Sequence, residues 1–386
     1  MTHGLRRLAF IGVLALALGG TGSTVAAFSA ATRVAIPPGG PVPAGFRIAD
    51  LSFVGTHEGW ALGTAPCTHK PCTSMLRTTN GGASWVGIPA PIASLTNCTH
   101  TCVSGLRFAN PEVGYAFRSS LEMTTDGGSS WHKQSGNAIA LGITGDTVIR
   151  VRANHPSGCP PGCTFRVQSS SVGSTTWHNL SAPHVIGDFP DVEAAGASVI
   201  VSIEQNPAGG APNAHATLLL SANHGRTWRK RNDPCARRVA GEDDAVSVAM
   251  TTHHRVAVLC RPRRGNAGHD FVLTSSNGGR TFGHPHAIAA AGGKHAAYLV
   301  ARTAHALFVA TLTGTGSQVH YNVDVSRNGG HSWTRTLRTT GPSGSAGRDG
   351  FLGFESANVG HFVGNRRTVS RTSDAGRTWA THHFAH

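Results

Sequence analysis

"TTNGGASW", residues 78–85, is followed 46 residues later by "TTDGGSSW", residues 124–131. Four further copies end at later aromatics: "SANHGRTW" at Trp228, "SSNGGRTF" at Phe282, "SRNGGHSW" at Trp333 and "TSDAGRTW" at Trp379. A degraded copy, "SSVGSTTW", ends at Trp177, with Val172 and Ser174 at the Asn/Asp and Gly positions. The closing aromatics are therefore separated by 46, 46, 51, 54, 51 and 46 residues. A period of that size marks a repeat architecture in which each repeat supplies one supersecondary unit.

The octet reads as a hairpin turn with a packing anchor. Asn80-Gly81, Asp126-Gly127, Asn277-Gly278 and Asn328-Gly329 predict two-residue turns with positive φ at both central positions. The Asn or Asp side chain can bond the backbone of its own turn, and the final ring can bury itself against a neighbouring sheet. The structural positions are thus Asn80, Gly82 and Trp85 in the first copy and Asp126, Gly128 and Trp131 in the second. They recur as Asn223, Gly225 and Trp228, then Asn277, Gly279 and Phe282, then Asn328, Gly330 and Trp333, and finally Asp374, Gly376 and Trp379.

Upstream of several octets, "LSFVGTHEGWALG", "LRFANPEVGYAFR" and "LGFESANVGHFVG" each place Phe53, Phe108 or Phe354 six residues before Gly59, Gly114 or Gly360. Alternating apolar residues around a short polar turn predict two antiparallel strands. With the two strands of the octet hairpin, each repeat supplies four. The expected fold is all-β: a seven-bladed β-propeller over residues 46–386.

The octet, S/T-x-N/D-x-G-x-S/T-W/F, resembles the Asp-box, or bacterial neuraminidase repeat. Together with the "F…GW/Y" unit it makes the chain most similar to the propellers of the photosystem II assembly and stability factor family and its secreted bacterial relatives. Sialidases and xyloglucanases are more distant likenesses. The resemblance implies the propeller fold but does not choose a function, since Asp-boxes occur in hydrolases and assembly factors alike.

Residues 1–27 read as a signal peptide. Arg6 and Arg7 precede "LAFIGVLALAL", a run too short to span a bilayer, and small residues follow up to Ala27. No later stretch is apolar enough for a transmembrane helix. Residues 28–45 form a Pro/Gly-rich leader or, through "RVAIPP", an outer strand closing the last blade. Removing the two arginines lowers the formal charge from +14 to +12, which favours acidic partners. Eight cysteines in an exported chain suggest disulfides, and spacing proposes Cys67–Cys72, Cys98–Cys102, Cys159–Cys163 and Cys235–Cys260. Zinc held by the first two pairs with His69 and His100 is the alternative that export and local pairing disfavour. No glycine loop for phosphates and no cofactor signature is present. The lack of a nucleic-acid motif and of clustered aromatics argues against nucleic acid as a partner.

If the octet and "F…G" turns share one rim, the long loops and all the proposed cysteine pairs share the other. Arg229, Lys230, Arg231, Arg237 and Arg238 then occupy the loop leaving blade 4, and Arg261, Arg263 and Arg264 follow Cys260. A Cys235–Cys260 bridge would set these groups side by side as an anion-binding surface. Candidate catalytic acids lie where first strands should begin: Asp50, Asp191, Asp243 with Asp244, and Asp349. "FRIAD" resembles a sialidase F/Y-R-I-P motif and implies Arg47 as a carboxylate ligand, although Ala49 replaces the proline; the nucleophile would be Tyr115, Tyr298 or Tyr321. The leading expectation is a secreted, non-enzymatic binding or assembly propeller whose Arg-bearing rim meets an acidic protein or glycan. The alternative is an exo-acting glycoside hydrolase, sialidase-like or xyloglucanase-like.

Overall fold

The computed structural model describes residues 39–67, 71–95, 101–154, 163–187, 189–204, 216–236, 243–262, 269–288, 296–313, 318–342 and 351–384. The expected signal peptide and "RVAIPP" lie outside the described residues. All regular structure described is β. Blade 1 comprises β1 (Arg47–Val54), β2 (Glu58–Pro66), β3 (Pro71–Thr78) and β4 (Val86–Ile88). Blade 2 comprises β5 (Gly105–Phe108), β6 (Gly114–Phe117), β7 (Leu121–Thr124) and β8 (His132–Lys133). Blade 3 contains β9 (Ala140–Thr144), β10 (Thr147–Ala153), β11 (Cys163–Ser171) and β12 (His178–Asn179), with a short β13 (Val185–Gly187) added to β11. Blade 4 runs through β14 (Phe189–Ala195), β15 (Ser198–Glu204), β16 (Thr217–Ser221) and β17 (Arg229–Asn232). Blade 5 runs through β18 (Asp243–Thr252), β19 (Arg255–Pro262), β20 (Phe271–Ser275) and β21 (His286–Ala287). Blade 6 is β22 (Ala296–Ala301), β23 (Leu307–Thr313), β24 (Gln318–Ser326) and β25 (Thr334–Pro342), and blade 7 is β26 (Phe351–Phe354), β27 (Gly360–Val363), β28 (Thr368–Thr372) and β29 (Ala380–His383).

Within each blade the four strands pair antiparallel in chain order. First strands of successive blades lie against one another, so they ring the axis. The result is a seven-bladed β-propeller. Its apolar core is divided into clusters that each bridge two neighbouring blades. Trp60, Leu62 and Met75 of blade 1 meet Leu106, Phe108 and Trp131 of blade 2, for example. Polar side chains cement the innermost strands as well: Asp50 accepts the Leu106 amide at 2.7 Å, and Ser52 Oγ accepts the Phe108 amide at 2.7 Å.

The octet turns repeat one hydrogen-bond pattern. In blade 1, Thr78 Oγ1 donates to Asn80 Oδ1 at 2.9 Å and accepts the Gly82 amide at 2.9 Å, while Asn80 Oδ1 accepts the Ser84 amide at 2.9 Å. Blade 7 repeats it with Thr372, Asp374, Gly376 and Thr378. The expected turn geometry needs correction. Positive φ falls on Gly81 and Gly82 (69° and 87°), one position later than the Asn-Gly pair. Asn80 is occupied as the acceptor hub, so the reversal passes to the next two residues. In blade 3, where Val172 replaces that hub, the Gly173 amide instead donates to the Tyr115 hydroxyl of blade 2 at 2.9 Å.

Two copies place a side chain in the left-handed region, His224 at φ 56° and Ala375 at φ 62°. An L-residue there is strained. Ala375→Gly is therefore expected to raise the unfolding free energy by about 0.5–1 kcal/mol, measured by denaturant titration. His224 is not equivalent, because its ring also meets Thr144 Oγ1 at 3.0 Å.

The turns joining first to second strands sit beside the octets. Gly81 donates to the His57 carbonyl at 2.8 Å, and Gly127 to the Glu112 carbonyl at 2.8 Å. Both turn types therefore share one rim, and the long connections emerge on the other. The "F…G" unit also has a packing reason: Phe53 lies opposite Gly59 in the ladder, and a Cβ there would fall 2.3 Å from the Phe53 ring.

The ring closes between blades 7 and 1. Ile48 donates its amide to the Arg366 carbonyl at 2.7 Å, and Phe384 packs edge-on against Phe46 and Trp85. His361 stacks on Phe53 with ring centroids 3.6 Å apart. All four strands of blade 7 are consecutive in the chain, and Gly40 bridges to Gly87 beside blade 1's outer strand.

Candidate functional site

The channel mouth begins with Asp50, the fourth residue of β1. Its Oδ1 accepts the Leu51 amide at 2.8 Å, and its Oδ2 accepts the Leu106 amide at 2.7 Å and Arg107 Nη1 at 3.0 Å. Burial pushes the Asp50 carboxyl above its ordinary value against the opposing pull of Arg107 and these two amides. Burial alone would lower the Arg107 guanidinium, but Asp50, Asp191 and Glu193 together hold it above its usual range. Blades 1, 2 and 4 thus contribute to one charged group.

Asp191 and Glu193 occupy alternate positions of β14 and are exposed, while Val192 between them is buried. Period-two alternation therefore turns both carboxylates to the channel face. Asp191 Oδ1 accepts the amide of Val192 at 2.9 Å. Glu193 is pushed up to about 8, first by the protein surrounding it and then by Asp191, with Arg107 pulling the other way. Because the side chain also meets channel water, its energetic consequence is screened. A carboxyl raised from 4.5 stabilises the fold fully below that value and loses the contribution as pH climbs through about 8. Glu193→Gln is expected to flatten this part of the thermal stability profile between pH 5 and 9, by less than about 1 kcal/mol.

The other acids and Arg47 separate from this group or cannot be placed. Asp243 and Asp244 open β18, where the register sets Asp244 opposite Arg261. Asp349 lies outside the described residues. Arg47 begins β1 and is exposed. Of the tyrosines, Tyr115 is fully buried with its hydroxyl accepting from Gly173, Tyr321 is also buried, and Tyr298 lies in blade 6's first strand. These are packing environments for Tyr115 and Tyr321.

The cysteines organise the long-loop rim. Cys67 bridges Cys72, and Cys235 bridges Cys260. Cys102 and Cys163 are disulfide-bonded too, while Cys98 and Cys159, their expected partners, lie outside the described residues with His69 and His100. Oxidised cysteines are not thiolate ligands, which removes the zinc alternative at Cys67, Cys72 and Cys102. Two disulfides accord with an extracellular setting, and among the described residues no helix is long and apolar enough to cross a membrane.

The Cys235–Cys260 bridge ties the connection leaving blade 4 to the end of β19, whose next residue is Arg261. Arg229, Lys230 and Arg231 prove to lie in β17, the outer strand of blade 4, and not in the loop that follows. Strand alternation puts Arg229 and Arg231 on one face and Lys230 on the other. Arg261 Nε stands 3.9 Å from the buried Asp270 carboxylate. Arg237, Arg238, Arg263 and Arg264 lie outside the described residues.

Sequence reasoning missed Arg107 and Glu193. Glu193 was readable, since it lies two residues beyond Asp191 in one strand. Arg107 was not, because its role depends on blades 1, 2 and 4 meeting at the axis.

No protein-family model and no curated protein matches this chain. Among solved structures it is similar to YCF48 bound to a D1 peptide, at 13% identity over 86% of this chain and 95% of that one, with a TM-score of 0.53. It is also similar to YCF48 from Cyanidioschyzon merolae, at 14% identity over 87% and 98%, with a TM-score of 0.52. A PL25 ulvan lyase bound to -[GlcA(1-4)Rha3S]- is similar at 10% identity over 90% and 95%, with a TM-score of 0.52. At such identities the likeness shows the fold alone. The same architecture binds a peptide in one neighbour and serves a polysaccharide lyase in another.

Proposed function

We propose that the protein is a secreted, non-enzymatic binding or assembly module that engages an acidic protein or glycan through its long-loop rim. The observation that carries this reading is the Cys235–Cys260 bridge, which ties the segment after Arg229 and Arg231 to Arg261. Pinning a long connection reduces the ordering cost of binding. Asp50 supports a structural role for itself, being saturated by two amides and Arg107, and one oxygen of Asp191 accepts from its own strand. The peptide-bound neighbour supports a protein partner, and the strongly basic charge, +12 once Arg6 and Arg7 are removed, supports an acidic one.

The test is a binding screen of acidic peptides and of sulfated and uronate-bearing glycans. Binding is expected to weaken with salt and to be reduced by joint replacement of Arg231 and Arg261 with alanine. Unchanged affinity and salt dependence for every binder would contradict it.

A glycoside hydrolase remains the second reading because Glu193, pushed up to about 8, shares one channel face with Asp191, two residues away in β14. Two carboxyl groups in one site are the groups that chemistry requires. That reading expects Glu193→Gln and Asp191→Asn each to abolish glycan hydrolysis. Wild-type protein with no hydrolysis of any glycan it binds would remove it.

A further inference from the structure

Blade 3 carries a second cationic feature, distant in sequence from the arginines discussed above. Arg152 on β10 and Arg166 on β11 stand directly opposite each other in the ladder, and both are exposed. Like charges in that arrangement repel. Among the described residues neither guanidinium has a carboxylate within ion-pair distance. On the same face, one pair further along, Asn154 and Thr164 are cross-linked through their own backbone: the Asn154 amide donates to the Thr164 carbonyl at 3.2 Å, and the Thr164 amide to Asn154 Oδ1 at 3.1 Å. With Oδ1 used as an acceptor, the Asn154 side-chain NH2 remains to donate, as does the Thr164 hydroxyl.

These four side chains and Ala153 line a pocket of about 410 Å³ at the end of the sheet where the long connections emerge. Its back wall is firmly held. Ala153 exchanges hydrogen bonds with the side chain of Asn137, at 3.1 and 3.2 Å. Arg150, two residues before Arg152, stacks 4.0 Å from the Trp177 ring centroid and bonds Gln168 Oε1 and the Ser135 carbonyl. Burial, then Arg152, lowers the Arg150 guanidinium to about 10, so the wall remains positive at neutral pH. The opposite face of the same strands, through Val151, Ala153, Phe165 and Val167, is committed to the core shared with blade 4.

We propose that this pocket binds a sulfate or carboxylate group carried on a sugar ring. Two opposed guanidiniums supply a double fork for an oxyanion. The Asn154 amide and the Thr164 hydroxyl supply donors for ring oxygens. A volume of about 410 Å³ holds more than a bare ion. This site does not depend on the Arg229, Arg231 and Arg261 surface, so either can fail alone.

Isothermal titration of the full chain with inorganic sulfate, glucuronate, glucose and an Asp-rich peptide tests the assignment. Sulfate and glucuronate are expected to bind at one site, glucuronate the more tightly, and glucose not at all. Arg152→Ala and Arg166→Ala should each weaken glucuronate by about tenfold, and Arg166→Lys should weaken it less than Arg166→Ala. Joint replacement of Arg229, Arg231 and Arg261 should leave it unchanged. Because the substitutions relieve repulsion on exposed side chains, Tm should hold or rise. Glucuronate binding that survives the Arg152→Ala/Arg166→Ala double variant would overturn the proposal. So would sulfate binding without glucuronate binding, or binding of the Asp-rich peptide alone.

Discussion

Replacing His361 with alanine is expected to lower the unfolding free energy by about 3–5 kcal/mol. His361 is fully buried at the blade 7–blade 1 seam, with Nδ1 3.0 Å from Glu355 Oε2 and Nε2 3.2 Å from the Gly81 carbonyl. Alanine removes the stack on Phe53 and leaves the nearly buried Glu355 carboxylate without its partner. Blade 7 is built from four consecutive strands, and side chains of this kind hold its seam with blade 1. Denaturant unfolding measures the loss. His361→Phe should recover the stacking share and not the polar share. A loss below about 1 kcal/mol for alanine would mean that the apolar contacts of Phe46 and Phe384 close the ring unaided.

Trp60→Ala is expected to cost about 3–5 kcal/mol, at or above the seam variant. Trp60 is fully buried between blades 1 and 2 and lies 3.8 Å, centroid to centroid, from Phe108 at an interplanar angle of 5°. Its Nε1 donates to the Gly127 carbonyl at 2.9 Å. Trp60→Phe retains most of the packing and should cost about 1 kcal/mol, chiefly the lost bond. Near-equal effects of the two substitutions would show that the polar contact, and not the ring, holds the blades. For a fold with an ordinary stability of about 5–15 kcal/mol, either alanine variant approaches the folding threshold.

Trp60 and His361 show how much of this architecture was legible. Each directly follows the glycine of an "F…G" unit, and each reaches a turn carbonyl in the next blade. Tyr115 holds the same place in blade 2 and accepts from Gly173. The octets likewise gave the blade number and strand order, since they are local signals. The Cys67–Cys72 and Cys235–Cys260 pairs followed from spacing. What failed or was missed depends on register across strands or blades. The reversal shifted by one residue because Asn80 is spent on Ser84. Arg229 to Arg231 joined a strand because β16 was there to pair with them. Arg152 and Arg166 are separated by a long connection and meet only through the β10–β11 ladder.

A strongly basic protein binds polyanions through charge alone, so what distinguishes a dedicated surface is where on the propeller binding occurs. The most direct measurement compares two double variants of equal charge. One replaces Arg231 and Arg261, toward the long-loop rim, and the other replaces Arg280 and Arg377, exposed arginines in the octet turns of the opposite rim. Affinity for an anionic partner from the screen is measured for both across a salt series. The first set is expected to weaken binding by about tenfold or more and to flatten its salt dependence, while the second leaves both near wild type. Equal losses from the two sets would show that net charge, and not the long-loop rim, does the binding.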